Sequence, residues 1–246
     1  MRNSQLTEGI NMNSDILNSI REAEKESHLE VYSTAKLFEI GSWLQKPVKT
    51  VLDILPCFKN YKELKVLDLG CGVGRNCIPI AQEYKNIICK VDCVDILDYA
   101  IEELIKNSIK YNVKENINGT VSSIDDFFIK ENHYDFILAV SALEHINSAQ
   151  AFADKLIEIR NGTKKDGIVC FIINSEITEI NKETKEKLVP QFEVNLKTEE
   201  LLNLLGSTFD GWKILKNTIR TQKYDIPRKN CVADLTTDVV TFVARK

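Results

Sequence analysis

Short apolar runs alternate along the chain with segments in which apolar residues recur every three or four positions. The runs are typical of buried strands, and the longer period is typical of amphipathic helices. The predicted strands are residues 64–69, 87–94, 120–123, 134–140, 167–173, 212–219 and 239–244. The predicted helices are residues 76–83, 97–111, 149–159 and 197–205, with Gly206 as the stop of the last one.

This alternation predicts an α/β fold with a doubly wound, mostly parallel sheet and helices on both faces. The last two strands have no helix between them, so we expect them to pair antiparallel at one edge. Residues from about 14 to 55 show helical spacing, and Pro47 fits the start of a helix over residues 48–55. We therefore predict an N-terminal helical extension, residues 1–55, before a main domain, residues 56–246.

Composition narrows the class of protein. Of the 246 residues, 43% are apolar and 28% are charged, as expected for a soluble globular domain. No apolar run approaches the ~20 residues of a membrane span, and the polar N-terminus lacks the apolar segment of a secretory signal. These features predict a cytoplasmic protein with no membrane contact, and a homodimer is compatible with them.

Net charge argues against a nucleic-acid partner, and cysteine spacing argues against disulfides and a metal site. The net charge is −4, whereas nucleic-acid binders carry a basic surface, so no nucleic-acid partner is expected. The seven cysteines form no CxxC pair. We therefore expect neither a disulfide framework nor a metal site.

The densest chemical signal follows the first predicted strand. Gly70, Gly72 and Gly74 lie where this strand gives way to a helix, and glycines there let the backbone turn tightly against a ligand. A dinucleotide fingerprint, G-x-G-x-x-G, would require glycine at the position of Arg75. Asp95 ends the second strand, where an acidic side chain binds ribose hydroxyls in doubly wound folds. A cap of the following helix is the alternative role of Asp95.

These segments resemble class I S-adenosylmethionine-dependent methyltransferases. Residues 66–74, VLDLGCGVG, and 91–95, VDCVD, are similar to the first and second motifs of that family. Residues 134–146, YDFILAVSALEHI, and 166–173, DGIVCFII, resemble its fourth and fifth strands. The resemblance implies a seven-stranded Rossmann-like sheet with an antiparallel last strand. It also implies S-adenosyl-L-methionine as cofactor and S-adenosyl-L-homocysteine as product. Residues 74–76, GRN, are similar to tellurite-resistance-type methyltransferases.

The same resemblance implies a set of cofactor contacts. Asp68 would help to orient the amino group of the cofactor through the loop. Asp95 would take the ribose hydroxyls, and Ile96 would pack on the adenine ring. The Ile124 backbone and Asp125 would meet the adenine amino group. Gly70 and Gly72 would lie beside the methionine portion and the ribose, and Ala139, Val140 and Ser141 would border the sulfonium. Cys71 and Gly74 are the remaining implied contacts.

Two neighbouring residues are the candidate catalytic groups. His145 follows the fourth strand at the carboxyl edge, where ligands bind in this kind of sheet, and it is the candidate general base. Glu144, directly before it, is the second candidate. Transfer from a sulfonium depends mainly on holding the nucleophile in line, and a base is needed only when the acceptor must lose a proton. A structural role is the alternative for His145.

Candidate substrate contacts lie in two further segments. Tyr32 and Trp43, together with His28, belong to the N-terminal extension, which would cover the active site; ordinary helix packing is the alternative. Residues 174–195 have no clear element, and segments of that length often form lids. Phe192 and Glu193 are the candidate contacts there, and a surface helix at residues 182–188 is the alternative.

We therefore predict an enzyme that transfers a methyl group to a small-molecule acceptor. Residues 141–144, SALE, do not resemble the Asn/Asp-Pro-Pro-Tyr-type motif of DNA and RNA amino-methyltransferases. One alternative is a nicotinamide-dependent oxidoreductase, against which the early third glycine counts. Another is a non-catalytic cofactor-binding subunit, because fold alone does not fix function.

Overall fold

The computed structural model describes residues 20–22, 25, 29, 31–228 and 230–246. Its strands are β1 Glu63–Leu69, β2 Ile88–Asp95, β3 Ile117–Val121, β4 Tyr134–Val140, β5 Thr163–Asn181, β6 Lys187–Leu188, β7 Lys213–Arg228 and β8 Cys231–Arg245. The sheet order is β3-β2-β1-β4-β5-β8-β7, with β6 paired to β5 beside this path.

The strand directions confirm the predicted fold class. Strands β1 to β5 pair in parallel, and β8 runs antiparallel to both of its neighbours, β5 and β7. The sheet is therefore mostly parallel, with an antiparallel last strand. The two-residue strand β6 is an addition to the seven strands expected.

Helices cover both faces of the sheet. They are α1 Lys49–Ile54, α2 Cys77–Glu83, α3 Asp98–Lys110, α4 Ala149–Gly162 and α5 Thr198–Thr208. Because successive strand side chains point to opposite faces, Val66 packs with α2 and α3 while Leu67 packs with α4 and α5. Among the residues that the structure describes, none of the helices is both long and apolar enough to cross a membrane.

The sheet has a core on each face: the first core contains Val66 and the second contains Leu67. The described part of the N-terminal extension packs into the first core. Leu37, Leu44 and Val51 are buried there together with residues of the sheet. The predicted helical spacing is wrong for residues 35–48, where only the short 3-10 turn Trp43–Gln45 is helical. Phe38 and Gly41 break the helix, because both adopt positive φ angles. His28 and residues 1–19 lie outside the described residues.

Three other predictions about elements are wrong. Residues 174–181 continue β5 instead of forming a loop, because β8 supplies a hydrogen-bonding partner far along the chain. The predicted surface helix at 182–188 is a turn followed by β6. Gly206 does not end α5, which runs on to Thr208. The glycine with a left-handed backbone beyond this helix is Gly211, at φ 80°.

Candidate active site

The glycine turn after β1 is tied to the end of β2 by three backbone donors. The nitrogens of Gly70 and Cys71 both donate to the carbonyl of Val94, at 2.8 and 3.0 Å. The nitrogen of Gly72 donates to Oδ2 of Asp95 at 2.8 Å. The turn and the acidic residue, which the sequence places 23 positions apart, therefore form one unit at the carboxyl edge of the sheet.

Asp95 also holds the start of the next helix. Its other oxygen, Oδ1, accepts a hydrogen bond from the nitrogen of Leu97 at 3.0 Å, and the residue is 9% exposed. Leu97 is the N-cap residue of α3, and this helix has no side-chain cap bond among the described residues, so the bond holds the residue before the helix and does not make Asp95 its cap. The contact of Asp95 with a ribose stays a prediction.

The glycines occupy backbone conformations and spaces that side chains would disturb. Gly70, Gly72 and Gly74 have φ angles of 72°, 52° and 101°. A Cβ on Gly70 would lie 2.3 Å from that of Ala142, and one on Gly72 would lie 2.6 Å from the hydroxyl of Tyr32. The turn after β4 and the N-terminal segment therefore both close directly onto the glycine turn.

Two buried side chains, Asp68 and Cys71, lie at the start of the glycine turn. Asp68, at the end of β1, is 1% exposed, and its Oδ2 has no hydrogen-bond partner among the residues that the structure describes. Burial raises the pKa of Asp68 to about 7; Asp95 adds to this, and the Arg75 guanidinium opposes it. Burial also raises the pKa of the Cys71 thiol, which disfavours the reactive thiolate, and the contact of Cys71 with the cofactor stays a prediction.

The site suits a cofactor that has ribose hydroxyls and an ammonium group. Buried polar atoms normally have partners, so the unpaired oxygen of Asp68 marks a place where a ligand can supply a donor. The left-handed turn from Gly70 to Gly74 keeps Cβ atoms away from this region. Asp95 lies at the adjoining strand end.

Residues just after the third glycine fasten the N-terminal extension to the turn. The Arg75 guanidinium lies 4.8 Å from the ring centre of Trp43, and it donates a hydrogen bond to the backbone carbonyl of Trp43 at 3.1 Å. Asn76 accepts from the nitrogen of Val48 at 3.0 Å. The ring of Tyr32 meets that of Trp43 edge-on at 5.9 Å. The structure thus places Tyr32 and Trp43 beside the glycine turn, and their contact with substrate stays a prediction.

The residues expected to border the sulfonium lie at the end of β4. Ala139 and Val140 are buried, whereas Ser141 is exposed and has a φ of 49°. Such a backbone is strained for a residue other than glycine, and strain of this kind concentrates at functional sites. The nitrogen of Ser141 donates to the carbonyl of Ile172 at 2.8 Å, which anchors the bend to β5.

Glu144 links the turn after β4 to neighbouring segments. Its Oε1 accepts from the backbone and the side chain of Asn174 at 3.2 and 2.5 Å, and its carbonyl accepts from Val194 at 2.9 Å. Oε2 is buried without a partner among the described residues. Burial raises the pKa of Glu144, and His145 opposes the shift. These bonds give Glu144 a positioning role, and a catalytic role stays a prediction.

His145 is held by the segment that was expected to form a binding loop. Its Nδ1 lies 2.9 Å from Oε2 of Glu193, and its ring stacks on that of Phe192 at 5.2 Å. Nε of Arg21 lies 3.5 Å from the other oxygen of Glu193. Arg21 also donates to Asn147. Arg21 carries no sequence signal for this position, because only the folded chain brings the N-terminal segment here.

The expected adenine contacts lie in different surroundings. Ile96 is 54% exposed, and Ile124 is half-buried against the second core. Oδ1 of Asp125 accepts from the nitrogen of Asn147 at 3.1 Å. Asp125 therefore borders the same turn as His145, and its contact with adenine stays a prediction.

Comparisons with known proteins agree with this geometry. A family model described as Methyltransferase domain matches residues 66–167. Ajmaline N-methyltransferase from Rauvolfia serpentina is 20% identical over 196 residues, covering 77% of this chain and 62% of the plant enzyme. The chain therefore spans about three fifths of the length of this curated relative.

Solved structures share the fold. TehB from Haemophilus influenzae aligns with a TM-score of 0.57 and 21% identity, over 79% of this chain and 61% of TehB. The [4+2]-cyclase SpnF aligns with a TM-score of 0.61 and 12% identity, over 94% and 95% of the two chains. At these identities the likeness shows the fold alone.

Proposed function

This chain belongs to the class I S-adenosylmethionine-dependent methyltransferase family, and we propose that it transfers a methyl group to a small-molecule acceptor. The observation that carries the proposal is the turn from Gly70 to Gly74. Its Gly72 nitrogen is bound to Asp95, and it follows Asp68, whose Oδ2 has no partner among the described residues. A left-handed glycine turn with an acidic residue at the next strand end suits a nucleoside cofactor.

When bound, S-adenosylmethionine supplies a methyl group on a positively charged sulfur, which leaves as a neutral thioether. The protein binds and orients the two partners, and proximity supplies much of the rate. In the proposal, Asp68 meets the ammonium and Asp95 the ribose hydroxyls. Ile96, with Ile124 and Asp125, borders the adenine, and residues 139–141 border the sulfonium.

In the proposal, four rings border the acceptor. Tyr32 and Trp43 come from the N-terminal segment, and His145 and Phe192 stack on each other at the turn after β4. Rings of this kind suit a small organic acceptor, and the net charge of −4 disfavours nucleic acid. By its name, the plant relative is an N-methyltransferase of the small molecule ajmaline, which supports the same class of acceptor.

Calorimetric titration of the protein with S-adenosylmethionine, S-adenosylhomocysteine and NAD tests the cofactor. We expect both sulfur compounds to bind and NAD not to bind. Binding of NAD alone would contradict the proposal and favour the nicotinamide-dependent alternative.

Transfer itself is tested with labelled S-adenosylmethionine and pools of small metabolites. We expect label to appear in at least one acceptor. Cofactor binding without transfer to any pool would favour the non-catalytic alternative. The fold by itself does not fix the reaction, because the structurally similar SpnF is named a [4+2]-cyclase.

Two features of the expected setting remain predictions. A location in the cytoplasm is checked by fractionation of cells that express the protein. A homodimer is checked by light scattering during size-exclusion chromatography, where twice the mass of one chain is expected.

A further inference from the structure

We infer that a lysine-lined recess at the amino-terminal edge of the sheet binds a phosphate ester that carries free hydroxyls, such as a sugar phosphate. The recess lies beside the amino-terminal parts of β1, β2 and β3, whereas the candidate active site lies at the carboxyl ends of the strands. Its volume is about 500 Å³, which is within the range of small-molecule sites. The lining residues that carry the inference are Lys65, Lys90, Asp92, Lys114, Asn118 and His133.

The recess exists because no helix covers this part of the sheet. Lys65 lies on the same face as Leu67, and Lys90 on the same face as Val94, because alternate residues of a strand point the same way. Leu67 and Val94 both belong to the second core, so the two lysines share that face. Residues 122–133, which join β3 to β4 and are all described, contain only turns and irregular chain. They leave the amino-terminal parts of these strands open to a ligand.

Two of the lysines repel each other in the protein without ligand. Lys65 and Lys90 are direct partners in the parallel register of β1 and β2, so their side chains leave adjacent positions of one face. Like charges at this separation are unfavourable, and the cost is larger at a half-buried position such as that of Lys65. An anion bound between the two ammonium groups replaces this repulsion with attraction.

The lysines also have unused hydrogen-bond donors. The ammonium groups of Lys65 and Lys114 have no hydrogen-bond or ion-pair partner among the residues that the structure describes. Nζ of Lys90 donates to the carbonyl of Glu115 at 2.6 Å, and an ammonium group has three donors, so two remain. The pKa of His133 is lowered, first by burial and then by the charges of Lys65 and its neighbours, which indicates a positive potential here. Such a set of donors suits a phosphate group.

Two carboxylates in the same recess favour a ligand that also has hydroxyls. Oδ1 of Asp92 accepts from Nδ2 of Asn118 at 3.0 Å, and Oδ2 accepts from the hydroxyl of Tyr134 at 2.9 Å. A carboxylate has about four acceptor positions, so Asp92 can accept further hydrogen bonds from a ligand. Glu115 adds the second carboxylate. A bare phosphate ion would be repelled by both groups, whereas hydroxyls beside the phosphate would donate to them.

Calorimetric titration of the full chain with ribose 5-phosphate tests the site, with ribose and inorganic phosphate as reference compounds. We expect saturable binding of ribose 5-phosphate at one site, and weaker binding of each reference compound because each lacks part of the interactions. Absence of saturable binding of ribose 5-phosphate would overturn the inference. Equal affinity for inorganic phosphate would overturn the inferred ligand class, because the hydroxyls would then contribute nothing.

Lys65→Met and Lys114→Met locate the bound phosphate, and methionine keeps an apolar stem at each position. We expect each variant to bind ribose 5-phosphate about tenfold more weakly, since each loses a charged hydrogen-bond donor. Lys223→Met is the matched control, because it removes the same charge from an exposed position of β7, at the opposite end of the sheet. An equal loss in the control would contradict binding in the recess. Lys114 is exposed, so its variant still decides the question if Lys65→Met does not fold.

Thermal unfolding gives a second measurement that does not depend on the heat of binding. Without ligand, Lys65→Met is expected to be at least as stable as wild type, because the repulsion from Lys90 disappears. Ribose 5-phosphate is expected to raise the melting temperature of wild type and of Lys223→Met, but not of Lys65→Met, since a ligand stabilises the state that binds it. A lower melting temperature of ligand-free Lys65→Met would contradict the repulsion on which the inference rests.

Asp92→Asn tests the part of the inference that concerns hydroxyls. The new amide has the shape of the carboxylate but lacks its charge and offers fewer acceptors. We expect weaker binding of ribose 5-phosphate and no weakening for inorganic phosphate. An equal loss for both compounds would show that Asp92 supports the recess and does not meet the hydroxyls, which would contradict the inferred ligand class.

Asp95→Ala distinguishes this site from the candidate active site, with which the recess shares no residue. Binding of ribose 5-phosphate is expected to be unchanged in Asp95→Ala and reduced in Lys65→Met. The reverse result would place the sugar phosphate at the glycine turn and overturn the inference. Failure of the proposed function, seen as no binding of S-adenosylmethionine, leaves this test intact because the recess does not depend on the cofactor.

Discussion

The backbone nitrogen of Gly72 donates a hydrogen bond to Oδ2 of Asp95 at 2.8 Å, so the glycine turn and the end of β2 act as one structural unit. The other oxygen of Asp95 accepts from Leu97 at 3.0 Å. One carboxylate thus joins two strand ends and the start of α3. Any change at Asp95 acts on the shape of the turn as well as on a bound ribose.

Asp95→Ala is expected to weaken binding of S-adenosylmethionine at least about tenfold, which corresponds to about 1.4 kcal/mol. It is also expected to lower the melting temperature, because two backbone donors lose their partner. Calorimetry and thermal unfolding measure the two effects. The exposed neighbour Asp98, as Asp98→Ala, is the control and should leave affinity unchanged. Lower stability with unchanged affinity would show that Asp95 serves the turn alone.

Gly72→Ala is expected to destabilise the protein through two separate effects. A left-handed backbone costs a residue with a Cβ roughly 1–2 kcal/mol. The new Cβ would also lie 2.6 Å from the hydroxyl of Tyr32. Chemical denaturation of Gly72→Ala, Tyr32→Ala and the double variant separates these effects in a double-mutant cycle. We expect the double variant to be more stable than the sum of the single losses predicts; strict additivity would place Tyr32 away from the turn.

Asp68 is expected to make stability depend on pH in the cofactor-free protein. Its pKa is about 7 in the folded chain because of burial, against about 3.9 in an unfolded chain. The folded state holds this proton more tightly, so the contribution to stability is greatest below about pH 4 and falls until about pH 7, by roughly 1.4 kcal/mol per pH unit.

Asp68→Asn removes this dependence and should gain stability relative to wild type as the pH rises from 5 to 7. Denaturation curves at pH 5, 6 and 7 measure the gain, and a constant difference between the two proteins would contradict the assignment. The same variant should bind S-adenosylmethionine more weakly, because it lacks the charge proposed to meet the ammonium. Equal affinity would remove Asp68 from the cofactor site.

Glu144→Gln separates a positioning role of Glu144 from a catalytic one. The amide oxygen of the new glutamine can still accept a hydrogen bond from Asn174. The variant also removes the buried carboxyl group, whose pKa is raised by burial. We expect stability at least equal to that of wild type and retention of most activity. Glu144→Ala removes the acceptor and is expected to cost about 1–3 kcal/mol. A large fall in kcat for a stable Glu144→Gln would make Glu144 catalytic.

The sequence predicts the elements around the glycine turn well and the C-terminal elements poorly, for a physical reason. The boundaries of β4 follow from a continuous apolar run that is buried on both faces, and every residue from Tyr134 to Val140 is buried. By contrast, residues 174–181 of β5 lack such a run. They are strand only because β8 pairs with them from more than 50 residues away. The pattern of a single sequence shows local periodicity, but it does not show which distant strand will pair with a segment.

The same division applies to the candidate site. The sequence by itself determined the sheet, the glycine turn and the acidic strand end, because these depend on local apolar periods and on the backbone freedom of glycine. Only the tertiary structure decided that Glu193 and Phe192 support His145, and that Arg21 balances Glu193. Those contacts join segments separated by up to 172 positions in the chain, and their geometry exists only once both cores have packed.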